Sequence, residues 1–247
     1  MNWTTPPKPA ELTEARLIDA ILDEHFPPGS YLPAERELAQ QLGVTRPTLR
    51  EALQRLARDG WLEIRQGKPT RVKNYWHEGS LGVLGALAQR SRRLPADFIP
   101  NLLAVRQLIA PAYARQAIER DSPQVIQLLE KSANLEDSAL AYASYDWEVH
   151  HSLAIASGNP IFTLILNGFF ELYPPMACQY FQDKRSRQSS LEFYQNLLSA
   201  AQQRAANTAE AITRRAMDQS LVFWQAVSKT QPATDFQTKD CPPGGAA

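Results

Sequence analysis

Residues 33–72 read PAERELAQQLGVTRPTLREALQRLARDGWLEIRQGKPTRV, and this stretch decides the fold. From Glu35 to Leu42, apolar Leu38, Ala39 and Leu42 recur at helical spacing. Gly43 ends that helix, because glycine enters the left-handed conformation without a Cβ penalty. Thr45 is a good N-cap, and Pro47 falls in the first turn of the next helix, where a missing N–H costs little. This second helix runs to about Asp59, with Leu49, Ala52, Leu53, Leu56 and Ala57 as its apolar stripe and Gly60 as its stop. Its remaining faces carry Arg46, Thr48, Arg50, Gln54, Arg55 and Arg58. An apolar back with an arginine-rich N-terminal front suits insertion into a DNA major groove.

The residues that follow extend the pattern. Trp61 to Arg65 and Thr70 to Lys73 are short strand-like runs, and Gln66-Gly67-Lys68-Pro69 between them has turn chemistry. A hairpin directly after a recognition helix is the wing of a winged helix-turn-helix. Its small basic tip, Gly67-Lys68, suits the phosphates beside a minor groove. Residues 46–73 hold eight basic residues (Arg46, Arg50, Arg55, Arg58, Arg65, Lys68, Arg71, Lys73) against three acids (Glu51, Asp59, Glu63). The whole chain of 247 residues balances 26 Lys and Arg against 26 Asp and Glu. A neutral chain with one focused basic patch fits a sequence reader and argues against a general nucleic-acid coat.

Outward from this segment, the pattern is helical. Residues 1–10 are Pro-rich and expected to be disordered, 11–73 form the winged helix-turn-helix domain with a helix over Glu11–Phe26, and 74–80 (NYWHEGS) form a linker. Residues 81–229 are expected to be an all-α bundle of about seven helices, over 81–90, 95–120, 122–138, 140–157, 160–182, 187–205 and 207–228, followed by a disordered tail at 230–247. Pro174-Pro175 predicts a kink or local break. The fold class is therefore mostly α, a DNA-reading module joined to a bundle large enough to enclose a ligand. Cys178 and Cys241 stand far apart without metal-ligand neighbours, which suits two unpaired thiols in a reducing compartment. No apolar run approaches the roughly 20 residues of a membrane span, so a soluble cytoplasmic protein is expected.

At this point the residues resemble a known family. The segment 33–72 is similar to the DNA-binding domain of GntR-type bacterial regulators. From about Phe26 to Trp224 the chain resembles the FadR group within them, through FPPGSYLPAERELAQQLGVTR, LREALQRLARDGWL, QGKPT, NLLAVR, LAIASGNPIFTLILNG and FYQNL. The resemblance implies a homodimer that binds short palindromic operators and releases them when long-chain acyl-CoA enters the helical domain. It also implies repression of fatty-acid degradation genes and activation of unsaturated fatty-acid synthesis genes. Carried over by residue, it puts Arg36, Thr45, Arg46, Thr48 and Arg50 at the DNA, with Gly67 and Lys68 on the wing. Pro47 stands where the group has a threonine, and Gln66 where it has a histidine, so the operator preference is expected to differ in detail.

For the helical domain, the resemblance puts Arg106, Tyr173, Tyr180, Tyr194, Ser220 and Trp224 around the ligand and Lys229 near a CoA phosphate. Met217, Asp218 and Gln219 depart from the group near the CoA. Arg106 sits amid Leu102, Leu103, Val105 and Ile109, so its charge needs a buried partner, and Asp146 is the natural one. Asp146 and His150 also match the first two ligands of the Asp-His-His-His metal set of other GntR regulators. Tyr194 and Ser220 stand at the other two positions, so neither a metal nor any other cofactor is expected. Three rivals remain. A hydrolase built on Asp146, His150 and Ser152 fails because one helix does not aim these at a common atom, and no Gly-Xaa-Ser-Xaa-Gly elbow exists. A bundle that only dimerises would be filled and dry. A regulator of the same class would instead take a carboxylate held on a metal at Asp146 and His150.

Overall fold

The computed structural model describes residues 8–88, 90, 95 and 97–230, with backbone alone at 88 and 227–230. Two compact units divide after Leu87. The first begins with α1 (Pro9–Leu22), so Pro9 and Ala10, expected to be disordered, are helical. α1 is also shorter at its C-terminal end than the expected run to Phe26. α2 (Glu35–Leu42) and α3 (Arg46–Asp59) form the helix-turn-helix, and α3 buries Leu49, Ala52, Leu53 and Leu56, with Ala57 only half-buried. Gly43 ends α2 with φ +67°, and Thr45 caps α3, its hydroxyl accepting from the Thr48 amide at 3.3 Å. β1 (Leu62–Glu63) and β2 (Arg71–Val72) pair antiparallel, Leu62 opposite Val72, and are shorter than the expected runs. The connector before α2 lies along β2: Gly29 N–H donates to the Val72 carbonyl, Val72 N–H to Ser30, and Leu32 N–H to Thr70.

The expected linker at 74–80 is a correction. Tyr75–Glu78 is a helical turn, α4, and the Tyr75 ring lies 4.8 Å from the buried Trp61 ring. Ser80 returns to α3, its Oγ donating to the Asp59 carbonyl at 2.8 Å. α5 (Gly82–Ala88) then closes the first unit, and the boundary after Leu87 falls at the last residue of the helix that was expected to open the second domain. Leu17, Ile21, Leu38, Leu49, Leu56, Trp61, Leu62 and Val72 are the buried apolar centre of this unit.

In the second unit α6 spans Phe98–Glu130 and breaks at Asp121, whose φ of −147° is not helical. The Asp121 side chain accepts from the Gln124 amide at 3.2 Å and restarts the helix, so the expected division near Pro123 is a kink. A 3-10 turn, Lys131–Asn134, leads to α7 (Ala139–Ala156), α8 (Pro160–Gly168), α9 (Tyr173–Phe181), α10 (Lys184–Gln202) and α11 (Ala206–Thr230). The single run expected over 160–182 turns by 78° between α8 and α9. The break precedes Pro174-Pro175, which sit in the first turn of α9. Ala110, Ala114, Ala117, Ala154 and Ala201 in the core keep helices close, and Tyr113, Leu129, Val149, Phe181 and Leu197 fill the layers. Cys178 is buried in α9 and is not a free thiol, contrary to the expectation of two unpaired cysteines; Cys241 lies outside the described residues. The other residues of the expected disordered ends, 1–7 and 231–247, also lie outside them. Among the described residues no single helix is long and apolar enough to cross a membrane.

Candidate functional site

The first unit presents the N-terminal end of α3 as an exposed surface. No acid stands in the first turn of α3, so its free amide ends keep their positive character. Thr45 and Thr48 stand there with their hydroxyls 2.8 Å apart. Arg46 is exposed, and Arg50 is exposed while its Nε donates to Glu35 at 2.7 Å. A surface pair of this kind is weak and exchanges readily for a phosphate or a guanine edge. Gly67 turns the wing with φ +71°, and Lys68 beside it is exposed.

The structure redraws the basic patch. Arg55 turns away from the front of α3 and meets Glu51 at 2.7 Å and Glu11 and Glu14 of α1 at 3.8 Å each. Arg71 is held between Glu63 and Glu78, and Arg65 by Glu63. Among the described residues of this surface, Arg36, Arg46 and Lys68 have no acidic partner, and Lys73 donates to the Glu78 backbone carbonyl at 2.6 Å instead of to a carboxylate. Three residues carried over by resemblance are thus left open, whereas the bare count of eight included charges already neutralised, those of Arg55, Arg65 and Arg71 among them.

The second unit holds a partly open cavity whose empty space, mouth and adjoining solvent included, is about 1020 Å³. Apolar side chains such as Leu102, Ile109, Leu166, Phe169, Met176 and Phe193 make most of the wall. Arg106, Asp146, Tyr173, Tyr180, Ser220 and Trp224 line it as well. Tyr194 is fully buried behind the wall and reaches the site through Asp146. The side chain of Lys229 lies outside the described residues. Met217 faces the cavity, whereas Asp218 accepts from Gln107 at 3.0 Å, tying α11 to α6.

One carboxylate organises the polar part of this wall. Arg106 donates to Asp146 Oδ2 at 2.8 Å, the Tyr173 hydroxyl donates to the same oxygen, and the Tyr194 hydroxyl donates to Oδ1 at 2.7 Å. The guanidinium also lies 5.5 Å from the Tyr173 ring centre, within cation–π range. Burial by itself lifts the Asp146 carboxyl, but the Arg106 charge and the two phenol donors hold it below the usual carboxylate value. Burial raises the Tyr173 and Tyr194 phenols, which stay protonated as donors. Burial, then the Arg106 charge, pushes His150 down to about 3, so its imidazole is neutral near pH 7. Sequence reasoning missed Tyr113, whose hydroxyl meets His150 Nδ1 at 2.7 Å. The available signal was its spacing of seven residues, two helical turns, from Arg106. Among the described residues no three His, Cys, Asp or Glu side chains group as metal ligands.

A winged helix-turn-helix on one unit and a mostly apolar cavity with a charged pair in its wall in an all-α second unit define the class, a DNA-binding transcriptional regulator with an effector domain. Residues 9–72 match the gntR family of bacterial regulatory proteins, and residues 73–235 match the FadR C-terminal domain. The fatty acid metabolism regulator protein of Shewanella pealeana is 41% identical over 224 residues, covering 91% of this chain and 94% of its own length. That of Serratia proteamaculans is 40% identical over 225 residues, with coverage of 91% and 94%. A solved structure of Lar, described as controlling the agr system of Listeria monocytogenes, aligns with a TM-score of 0.59 at 15% identity over 92% of this chain and 99% of its own, a likeness of fold. The chain belongs to the FadR family of fatty acid metabolism regulators, within the GntR class.

Proposed function

We propose that this regulator binds a palindromic operator as a homodimer and is released by long-chain acyl-CoA entering the helical unit. In this reading it represses fatty-acid degradation genes and activates unsaturated fatty-acid synthesis genes, acts in the cytoplasm, and catalyses nothing. The observation that carries the effector reading is an ion pair, Arg106–Asp146, set in the wall of a mostly apolar cavity. An acyl chain fits the apolar wall, and its entry past Arg106 disturbs a network that joins α6, α7, α9 and α10. Breaking such a pair leaves a buried charge to be served elsewhere, so the helices repack rather than yield gradually. α6 is the first long helix after the unit boundary, which makes it the natural carrier of that change along the chain.

The DNA side rests on Arg36, Arg46 and Lys68 left without acidic partners, with Arg50, Thr45, Thr48 and Gly67 on the same elements. One recognition helix reads only a few base pairs, so two-fold repetition supplies the specificity. A metal-held carboxylate at Asp146 and His150 is less well supported, because both Asp146 oxygens already accept hydrogen bonds. The deciding experiment is calorimetric titration of hexadecanoyl-CoA into the protein with and without operator DNA. Linkage requires operator to weaken acyl-CoA binding by the factor by which acyl-CoA weakens operator binding. Equal affinities in the two titrations refute the switch even where the ligand binds.

A further inference from the structure

His150 forms part of the cavity wall, is 1% exposed, and has only one of its two ring nitrogens served. Nδ1 meets the Tyr113 hydroxyl at 2.7 Å, whereas Nε2 is buried without a hydrogen-bond partner. Asp146 Oδ1 stands 3.7 Å from Nε2, too far for a hydrogen bond and already accepting from Tyr194. That carboxylate still settles which nitrogen carries the proton. A negative oxygen facing Nε2 favours Nε2–H, and Nδ1 then accepts from Tyr113. The Phe193 ring is stacked nearly parallel at 5.9 Å and fixes the imidazole plane while offering no acceptor. A histidine serving only the core would have both nitrogens satisfied, because an orphan buried donor is costly. Here the orphan belongs to a residue of the ligand cavity.

We propose that His150 is a specificity-determining residue of this cavity, its Nε2–H donating to an acceptor oxygen on the buried part of the effector. This rests on the acyl-CoA reading and narrows it. The favoured ligand carries an oxygen that reaches Nε2, either the thioester carbonyl or a hydroxyl on the chain, and a purely hydrocarbon insertion leaves the donor unpaired. A site built to hydrogen-bond an oxygen discriminates against an analogue lacking it more strongly than apolar packing discriminates by size.

The test measures affinities of wild type and His150→Phe for three ligands: hexadecanoyl-CoA, the S-hexadecyl-CoA thioether without a carbonyl, and β-hydroxyhexadecanoyl-CoA. In wild type, one oxygen-bearing ligand is expected to exceed its oxygen-free counterpart by about tenfold, equivalent to about 1.4 kcal/mol. In His150→Phe that ratio falls to about one. The pair whose ratio collapses identifies the oxygen, carbonyl or hydroxyl. A structural role for His150 would weaken all three ligands together and leave the ratios intact, and that result overturns the inference. His150→Gln keeps an N–H and is expected to retain part of the preference. If His150→Phe does not fold, Tyr113→Phe carries the test: it releases Nδ1, loosens the tautomer and lowers the ratio, and an unchanged ratio overturns the inference equally. Wild type that binds none of the three refutes the acyl-CoA reading and this inference with it. Binding with unchanged ratios in the variants refutes this inference alone.

Discussion

Asp146→Ala tests the assignment of Asp146 as the hub of the cavity wall. The substitution removes the acceptor of three donors at once: the Arg106 guanidinium, whose side chain is 18% exposed, and the Tyr173 and Tyr194 hydroxyls. Breaking a buried pair from one side costs about 3–5 kcal/mol. Two further hydroxyls left without partners move the expected loss to the top of that range, about 5 kcal/mol. Arg106→Met is milder, because Asp146 keeps both phenol donors and the thioether fills the apolar slot; about 2–3 kcal/mol is expected. The double variant removes both charges together and should cost less than the sum of the singles. Hydrogen exchange of amides in α6 and α7 under increasing urea reports this unit by itself. If Asp146→Ala destabilises those amides no more than Arg106→Met does, the hub argument is wrong.

Stability of the helical unit should fall as pH drops from about 6.5 toward about 3, because burial depresses His150 to about 3 from the ordinary histidine value of 6.5 and the unfolded chain takes up a proton the folded one refuses. His150→Phe should therefore flatten the stability-versus-pH curve between about pH 6 and 4.5, where one such group contributes a slope of up to about 1.4 kcal/mol per unit. Parallel curves for the two proteins would contradict this. Arg46→Ala should cost roughly 1–3 kcal/mol of operator affinity if it makes a bidentate guanine contact. Lys68→Ala should weaken operators of different sequence alike and lower the salt slope by about one. Unchanged operator affinity in both Arg46→Ala and Arg50→Ala would show that α3 is not the recognition helix, whereas Arg55→Ala should leave DNA affinity within about twofold because it faces α1. Gly60→Ala should destabilise the DNA-binding unit by more than about 2 kcal/mol, since a left-handed residue with a Cβ is already penalised. At φ +97° the added Cβ would also lie 2.8 Å from both Gly79 Cα and the Ser80 nitrogen. A thermal melt unchanged by this substitution would rule out the close approach of residues 79–80 to α3.

The parts of the fold written locally were legible in the chain. The stripe Leu49, Ala52, Leu53, Leu56, the Thr45 cap and the Gly43 and Gly60 stops each depend on neighbours within a turn or two. What was misread depends on distant partners. NYWHEGS looks like a polar linker until Tyr75 meets Trp61 and Ser80 meets the Asp59 carbonyl. Arg55 looks like part of a basic front until Glu11 and Glu14 arrive from a helix some 40 residues earlier. Arg106–Asp146 was legible despite its separation, because an arginine in an apolar run demands a buried acidic partner. Tyr113 was not, since a lone tyrosine in a helix reads as core packing until its hydroxyl is seen to find an imidazole.

The ion pair also bears on why chain length would matter to the proposed effector. Each buried methylene contributes about 0.8 kcal/mol, so a sixteen-carbon chain gains on the order of 12 kcal/mol and an eight-carbon chain on the order of 6. Displacing Arg106 from Asp146 takes about 3–5 kcal/mol of that gain, and association itself takes at least about 4 more. The short chain then has little or nothing left over, while the long one retains several kcal/mol, enough for a coupling of about 1–3 kcal/mol between effector and operator. An apolar wall alone would bind chains in smooth proportion to their length. A pair that must be broken first leaves the gain per methylene unchanged but raises the chain length at which binding becomes favourable, and so a salt bridge that adds little to stability in the middle of an apolar cavity has a physical use there.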